Sequence, residues 1–186
     1  WFFYDTSDLI VSGLTFRDAP LGALSVIGAC KRNRFEELRF IGCGSCREAS
    51  CTRFFGGAGG SCNIVENCRF EGTHPAATPN LSFAQASVTL MVSDGDNEGG
   101  APIKDHLFRK NYFDNYDIGI LVGAGDAPRG HYGHIVEYNT VRNCGAEGIL
   151  VKRSRYLLEM EIARFVVLEH DRMVIGSAAL YPFAEE

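Results

Sequence analysis

Any chemistry in this sequence would begin with Glu36, Glu66, Arg109 and Glu137, which fall at one position of a repeated segment. Each stands one place after an apolar residue (Phe35, Val65, Phe108, Val136), and Ser12 after Val11 completes the column. Three residues further on stand Thr15, Arg39, Arg69, Tyr112 and Thr140, on what the alternation reads as the same face. Carboxylates on stacked strands can hold calcium or abstract a proton, and arginines beside them can hold the acidic groups of a saccharide chain. Glu66, Arg109 and Glu137 are therefore the candidate catalytic residues, with Glu36, Arg39, Arg69 and Tyr112 as candidate substrate contacts. The plainer alternative is a solvated face of cross-strand ion pairs, with Arg109 between Glu66 and Glu137 and Arg39 near Glu66.

Other clusters carry less. Asp114 and Asp117 in "NYFDNYDIG" are spaced for paired-carboxylate hydrolysis, though an Asp beside a turn more often forms the turn. His131 and His134 in "RGHYGH" have metal-ligand spacing, but with no third ligand in view they read as surface residues. The run "SDGDNEGG" (Ser93 to Gly100) is acidic enough for calcium, yet without the periodicity of a calcium loop it reads as a flexible insertion. Seven cysteines include "CGSCREASC", where a C-x-x-C pair suggests zinc. The later spacing fits no paired knuckle, and small buried thiols in a repeating core explain the count more simply. No metal ligand is assigned; calcium is the cofactor that the acidic residues suggest.

The elements that must position these residues emerge when the chain is aligned on itself. With Phe16, Phe40, Phe70, Phe113 and Val141 in one column, five segments superpose: "IVSGLTFRD", "RFEELRFIG", "IVENCRFEG", "LFRKNYFDN" and "IVEYNTVRN". The anchors lie 24, 30, 43 and 28 residues apart, with the variation in Gly-, Pro- and Asp-rich stretches. After each segment comes a second short apolar strand: "ALSVIG", "CTRFFGG", "SVTLMVSDG", "IGILVGAG" or "EGILV". A short strand cannot bury its apolar side alone, so such repeats stack and push insertions outward. Asn111 and Asn139 share a column and predict a hydrogen-bonded ladder. Cys43 and Cys144, each three residues past an anchor, predict a shared corner. A sandwich of short strands is the alternative, but it requires no such register.

The pattern "V-x-x-N-x-F/V-x-(D/N)" followed by "G-I-x-V" resembles right-handed parallel β-helix proteins of the pectate-lyase-like superfamily, over roughly Asp8 to Val151. The resemblance implies about five coils and a mainly β fold. That fold carries lyases, glycoside hydrolases, epimerases, tail spikes and structural solenoids. It also implies a Lys or Arg base beside a cation, and it makes Lys152 a weak substrate-binding candidate. Proteins of this kind are usually exported.

From Tyr156 the period changes. Leu157, Leu158, Met160, Ile162 and Phe165 give a stripe near helical spacing, and "FVVLEHDRMVIGSAALYPF" reads as a hairpin turning at His170-Asp171-Arg172. Residues Glu147 to Glu186, notably "GILVKRSR", "LLEMEI" and "AALYPFAEE", resemble the acetyltransferase domain of bacterial N-acetylglutamate synthase, a cytosolic GNAT-fold enzyme. Arg172 departs from a Gly at the turn, and Ser177 from a Cys. In that family a Gly-rich loop holds the pyrophosphate of coenzyme A at a helix N-terminus, and it would lie beyond Glu186. Lys152 and Arg153 match a basic stretch near the family's amino-acid substrate. "EGILV" satisfies both patterns and marks a crossover, which divides the chain into residues 1–151 and a helix-plus-hairpin segment, 152–186, suited to cap the stack.

Bulk properties limit the partners. A net charge of −5 over 186 residues argues against nucleic acid. No apolar run approaches the roughly 20 residues of a membrane span. The leading expectation is a module that binds or degrades an anionic polysaccharide. The alternatives are a non-catalytic structural or chimeric solenoid, and a synthase remnant without its acetyl-CoA loop. Localisation is drawn two ways, outward by the repeats and to the cytoplasm by the tail.

Overall fold

Each repeat supplies three short strands, and each strand lies parallel to its counterpart in the neighbouring repeat. The computed structural model describes residues 1–20, 22–44, 50–55, 60–72, 86–91, 103–116, 118–124, 131–132, 134–144, 147–151, 161–164, 167–169 and 173–175. Sheet I stacks Ile10–Ser12, Arg34–Glu36, Ile64–Glu66, Leu107–Arg109, Ile135–Glu137 and Glu161–Arg164. Sheet II stacks Thr15–Arg17, Arg39–Ile41, Arg69–Glu71, Tyr112–Asp114, Thr140–Arg142 and Val167–Glu169. Sheet III stacks Phe2–Tyr4, Leu24–Ile27, Ser50–Phe55, Ala86–Met91, Ile118–Ala124, Glu147–Val151 and Met173–Ile175. A narrow fourth column runs through Ser7, Lys31, Ser61, Lys104 and Tyr132. The protein is mainly β with parallel sheets, and among the described residues it has no helix.

The three-residue strands follow from the sequence. The central residue of each faces inward, and its neighbours, on alternate sides of the pleat, face outward. Between sheets I and II the chain turns through one left-handed residue per repeat: Gly13, Glu37, Asn67, Lys110 and Tyr138, all at φ between 52° and 68°. Gly and Asn adopt that conformation readily, whereas Glu37, Lys110 and Tyr138 each cost about 1 kcal/mol there. Stacking of the repeats on both sides holds them in place.

Inside, the anchor column is a stack of rings. Phe16, Phe40, Phe70 and Phe113 follow one another at 5.0, 4.7 and 4.8 Å, with planes within 12° of parallel. Val141, fully buried, continues the column. Spacing between ring centroids near the strand spacing of about 4.8 Å is what in-register parallel stacking imposes. Close approach also explains Gly72, because a Cβ there would collide with the Asn115 carbonyl oxygen of the next repeat.

The Asn111–Asn139 ladder is present and runs between side chain and backbone. Asn139 Oδ1 accepts the Asn111 N–H at 2.9 Å, and Asn111 Oδ1 accepts the Cys68 N–H at 2.9 Å. The two Nδ2 groups donate to the carbonyls of Phe108 and Val65. A second ladder stands at the corner before sheet I. Leu9 N–H donates to Asn33 Oδ1 and Asn33 N–H to Asn63 Oδ1; Asn63 N–H then donates to His106 Nδ1 and His106 N–H to His134 Nδ1, over 3.0 to 3.2 Å.

The tail departs from expectation. Glu161–Arg164, expected to end a helix, is a strand paired parallel with Ile135–Glu137. Val167–Glu169 and Met173–Ile175, expected as two arms of a hairpin, lie in sheets II and III and pair with Thr140–Arg142 and Glu147–Val151. The local helical stripe is a weak preference, whereas the edges of three sheets offer a row of unsatisfied backbone groups. Residues 152–160 and 176–186 lie outside the described residues, as does the expected turn at 170–172.

Candidate functional site

The charged residues singled out from the sequence occupy two sheets, not one face. The column Ser12, Glu36, Glu66, Arg109, Glu137 lies in register along sheet I. The column Thr15, Arg39, Arg69, Tyr112, Thr140 lies in register along sheet II. The left-handed residue between the strands turns one away from the other. Arg39 accordingly pairs with Glu71 on its own sheet and not with Glu66.

On sheet I the centre is Glu66, whose side chain is 3% exposed although it belongs to the outward set. Arg109 Nε donates to Glu66 Oε2 at 2.6 Å, and Arg34 Nη2 pairs with Glu66 Oε1. Arg34 Nε also lies 2.6 Å from Glu36 Oε2. Burial pushes the Glu66 carboxyl up, but the Arg109 hydrogen bond and the charges of Arg109 and Arg34 outweigh it and hold the group below the usual carboxylate range. A carboxylate held in its charged form between two guanidiniums is a weak base. Glu137 is the register partner of Arg109 in the next repeat. Arg34 escaped the sequence reading because its column otherwise holds Ile10, Ile64, Leu107 and Ile135.

On sheet II, Arg39 and Arg69 both donate from Nε to Glu71, each at 2.8 Å. Arg39 contributes most to holding the Glu71 carboxyl below its usual range; burial opposes it and Arg69 assists. The Arg69 guanidinium lies 4.2 Å from the centre of the Tyr112 ring, with that of Arg142 at 5.8 Å. Tyr112 Oη donates to Asp114 Oδ2 at 3.1 Å, and Asn143 Nδ2 to Asp114 Oδ1 at 2.7 Å. Burial, then the bond to Asp114 and its charge, raise the Tyr112 phenol above its ordinary value. Glu71, Arg142 and Asn143 were missed in the sequence. Two-residue alternation from Arg69, Tyr112 and Thr140 would have found Glu71, Asp114 and Arg142. Such a strip of alternating charge and one aromatic ring can bind an acidic or sugar-like ligand only by exchanging its internal pairs for external ones.

The remaining candidates separate. His134, expected at the surface, is fully buried and stacks on His106 with ring centres 5.2 Å apart and planes within 4°. Cys30, Cys43 and Cys68 are buried, and Cys62 is exposed. Burial raises the Cys68 thiol to about 12. Tyr116, three residues past the Phe113 anchor as Cys43 is past Phe40, donates from Oη to the Cys43 carbonyl at 3.3 Å. Among the described residues no three His, Cys, Asp or Glu converge as metal ligands. Asp117, Lys152, Arg153, Cys46 and the acidic run 93–100 lie outside them. Also among the described residues, no helix is long and apolar enough to cross a membrane.

Comparison with known proteins turns attention from the charged strips. No family model matches the chain, and no solved structure does. The chain is 37% identical over 125 residues to the amino-acid acetyltransferase of Aliivibrio fischeri (strain ATCC 700601 / ES114), covering 65% of this chain and 27% of that protein. It is 54% identical over 48 residues to the amino-acid acetyltransferase of Shewanella oneidensis, covering 26% of this chain and 11% of that one. It is 54% identical over 46 residues to that of Salmonella typhimurium, covering 25% and 10%. The chain thus spans about a quarter or less of the length of the curated relatives it matches. Part of this chain is homologous to amino-acid acetyltransferases.

Proposed function

We propose that the chain is a composite: a right-handed parallel β-helix joined, near Glu147 to Val151, to a remnant of an amino-acid acetyltransferase. Supporting this reading is the 54% identity over 46 to 48 residues; the 37% identity over 125 residues is longer than the segment Glu147 to Glu186 and so also takes in part of the repeats. The β-helix part rests on three parallel sheets visited in the same order by every repeat, and parallel crossovers are almost always right-handed. The charged strips then serve the scaffold. Glu36, Glu66, Arg109, Arg39, Arg69 and Tyr112 all spend their polar groups or ring faces on one another or on near neighbours. The polysaccharide reading has no comparable support.

The test is an assay of the purified chain with acetyl-CoA and glutamate, alongside alginate, pectate and chondroitin with calcium. No thiol release and no unsaturated uronate are expected. Coenzyme A release above buffer would overturn the remnant reading. Uronate products lost in Glu66→Gln or Arg109→Ala would restore the saccharide one.

A further inference from the structure

We propose that the corner ladder ending in His106 and His134 is an acid-sensitive joint, which loosens the contacts of the fourth repeat with the third and the fifth while leaving those among the first three intact. One ladder position is filled by Asn33 and Asn63 in the second and third repeats, and by His106 and His134 in the fourth and fifth. Each does the same work, accepting a backbone N–H from the preceding repeat. An amide oxygen does this at any pH. An imidazole Nδ1 does so only while unprotonated, because protonation turns the acceptor into a donor facing a donor.

The surroundings add to this. Both imidazoles are buried, at 2% and 0% exposure, and they stack 5.2 Å apart, so charging both places two cations face to face. Among the described residues, the ionisable groups at this corner include the buried thiol of Cys30, the exposed thiol of Cys62, the Arg32–Asp8 pair, and Lys104 with Asp105, 3.9 Å apart. Asp105 is the one carboxylate next to His106 in the chain, and its side chain is 45% exposed. Protonation is thus disfavoured in the stacked state relative to the unfolded chain. Stability is full above the ordinary histidine value of about 6.5 and falls as the pH drops below it, by up to about tenfold in the opening constant per histidine per pH unit. Stacked repeats hold mainly through nearest-neighbour contacts, so the loss stays local.

Amide hydrogen exchange between pH 7.5 and 5, corrected for intrinsic rates, tests this within one molecule. The Asn63 and His106 amides, which donate to imidazoles, are expected to lose protection by tenfold or more. The Leu9 and Asn33 amides, which donate to Asn side chains, are expected to hold theirs. His106→Asn with His134→Asn places the amide acceptor in every repeat and is expected to remove the difference. Equal pH dependence at all four wild-type amides would overturn the proposal whether or not the double variant folds. So would an acid loss at Asn63 and His106 that persists in that variant.

Discussion

Arg109 Nε lies 2.6 Å from Glu66 Oε2, joining residues 43 positions apart on adjacent strands of sheet I, and Arg34 closes on the same carboxylate from the other side. Because Glu66 is held ionised below its usual value of 4.5, its contribution to stability is complete above that pH and is lost as the pH falls through the folded-state value. Glu66→Gln should destabilise the fold by about 1–3 kcal/mol at pH 7, a range set by the loss of a buried ionic partner to two arginines that can rehydrate. Urea titrations at pH 7 and pH 3.5 check this, since the gap to wild type should narrow in acid. An equal gap at both values would show that the carboxylate charge contributes nothing.

Asn139 bridges two repeats, accepting from Asn111 N–H and donating to Phe108 O. Asn139→Leu keeps the volume and orphans both buried backbone groups, for a loss of about 2–4 kcal/mol. Thermal or chemical denaturation measures it. A near-neutral Leu variant would mean that the ladder has alternative partners.

Phe70 is fully buried between Phe40 and Phe113. Phe70→Ala should cost about 3–5 kcal/mol and Phe70→Leu distinctly less, since a smaller cavity remains. Equilibrium unfolding by guanidinium ranks the two. Equal losses would point to lost ring stacking, not to the cavity.

Cys68 is buried, with its thiol raised to about 12, while Cys62 is exposed. Alkylation of the native protein at pH 8 should label Cys62 at least about a hundredfold faster than Cys68, with Cys68 reacting only after unfolding. Mass mapping of the labelled peptides distinguishes them. Rapid native labelling of Cys68 would show that the third repeat opens readily.

Much of this was legible in the chain. The Phe16–Phe40–Phe70–Phe113 column could be read because in-register stacking demands the same residue type at each level, and an inward position tolerates few types. The Asn111–Asn139 pair could be read for the same reason. The second ladder could not, because Asn33, Asn63, His106 and His134 share a hydrogen-bonding role and not a residue type. His134 consequently looked like a loop residue.

By itself the sequence determined the inward columns and the repeat register, because burial selects apolar side chains at a period of two, and stacking repeats that selection at every level. Part of the sequence likewise carries the likeness to amino-acid acetyltransferases, which needs no fold to be seen. Only the tertiary structure decided which outward residues meet. A left-handed turn at Gly13, Glu37, Asn67, Lys110 and Tyr138 splits the charged strip between two sheets, and these residue types share no signature for that turn. Arg39 was thereby taken from Glu66 and given to Glu71, and Arg34 was brought to Glu66. In the same way, Glu161–Arg164 became a strand despite its helical stripe, because backbone pairing along an open sheet edge outweighs a local preference of tenths of a kcal/mol per residue.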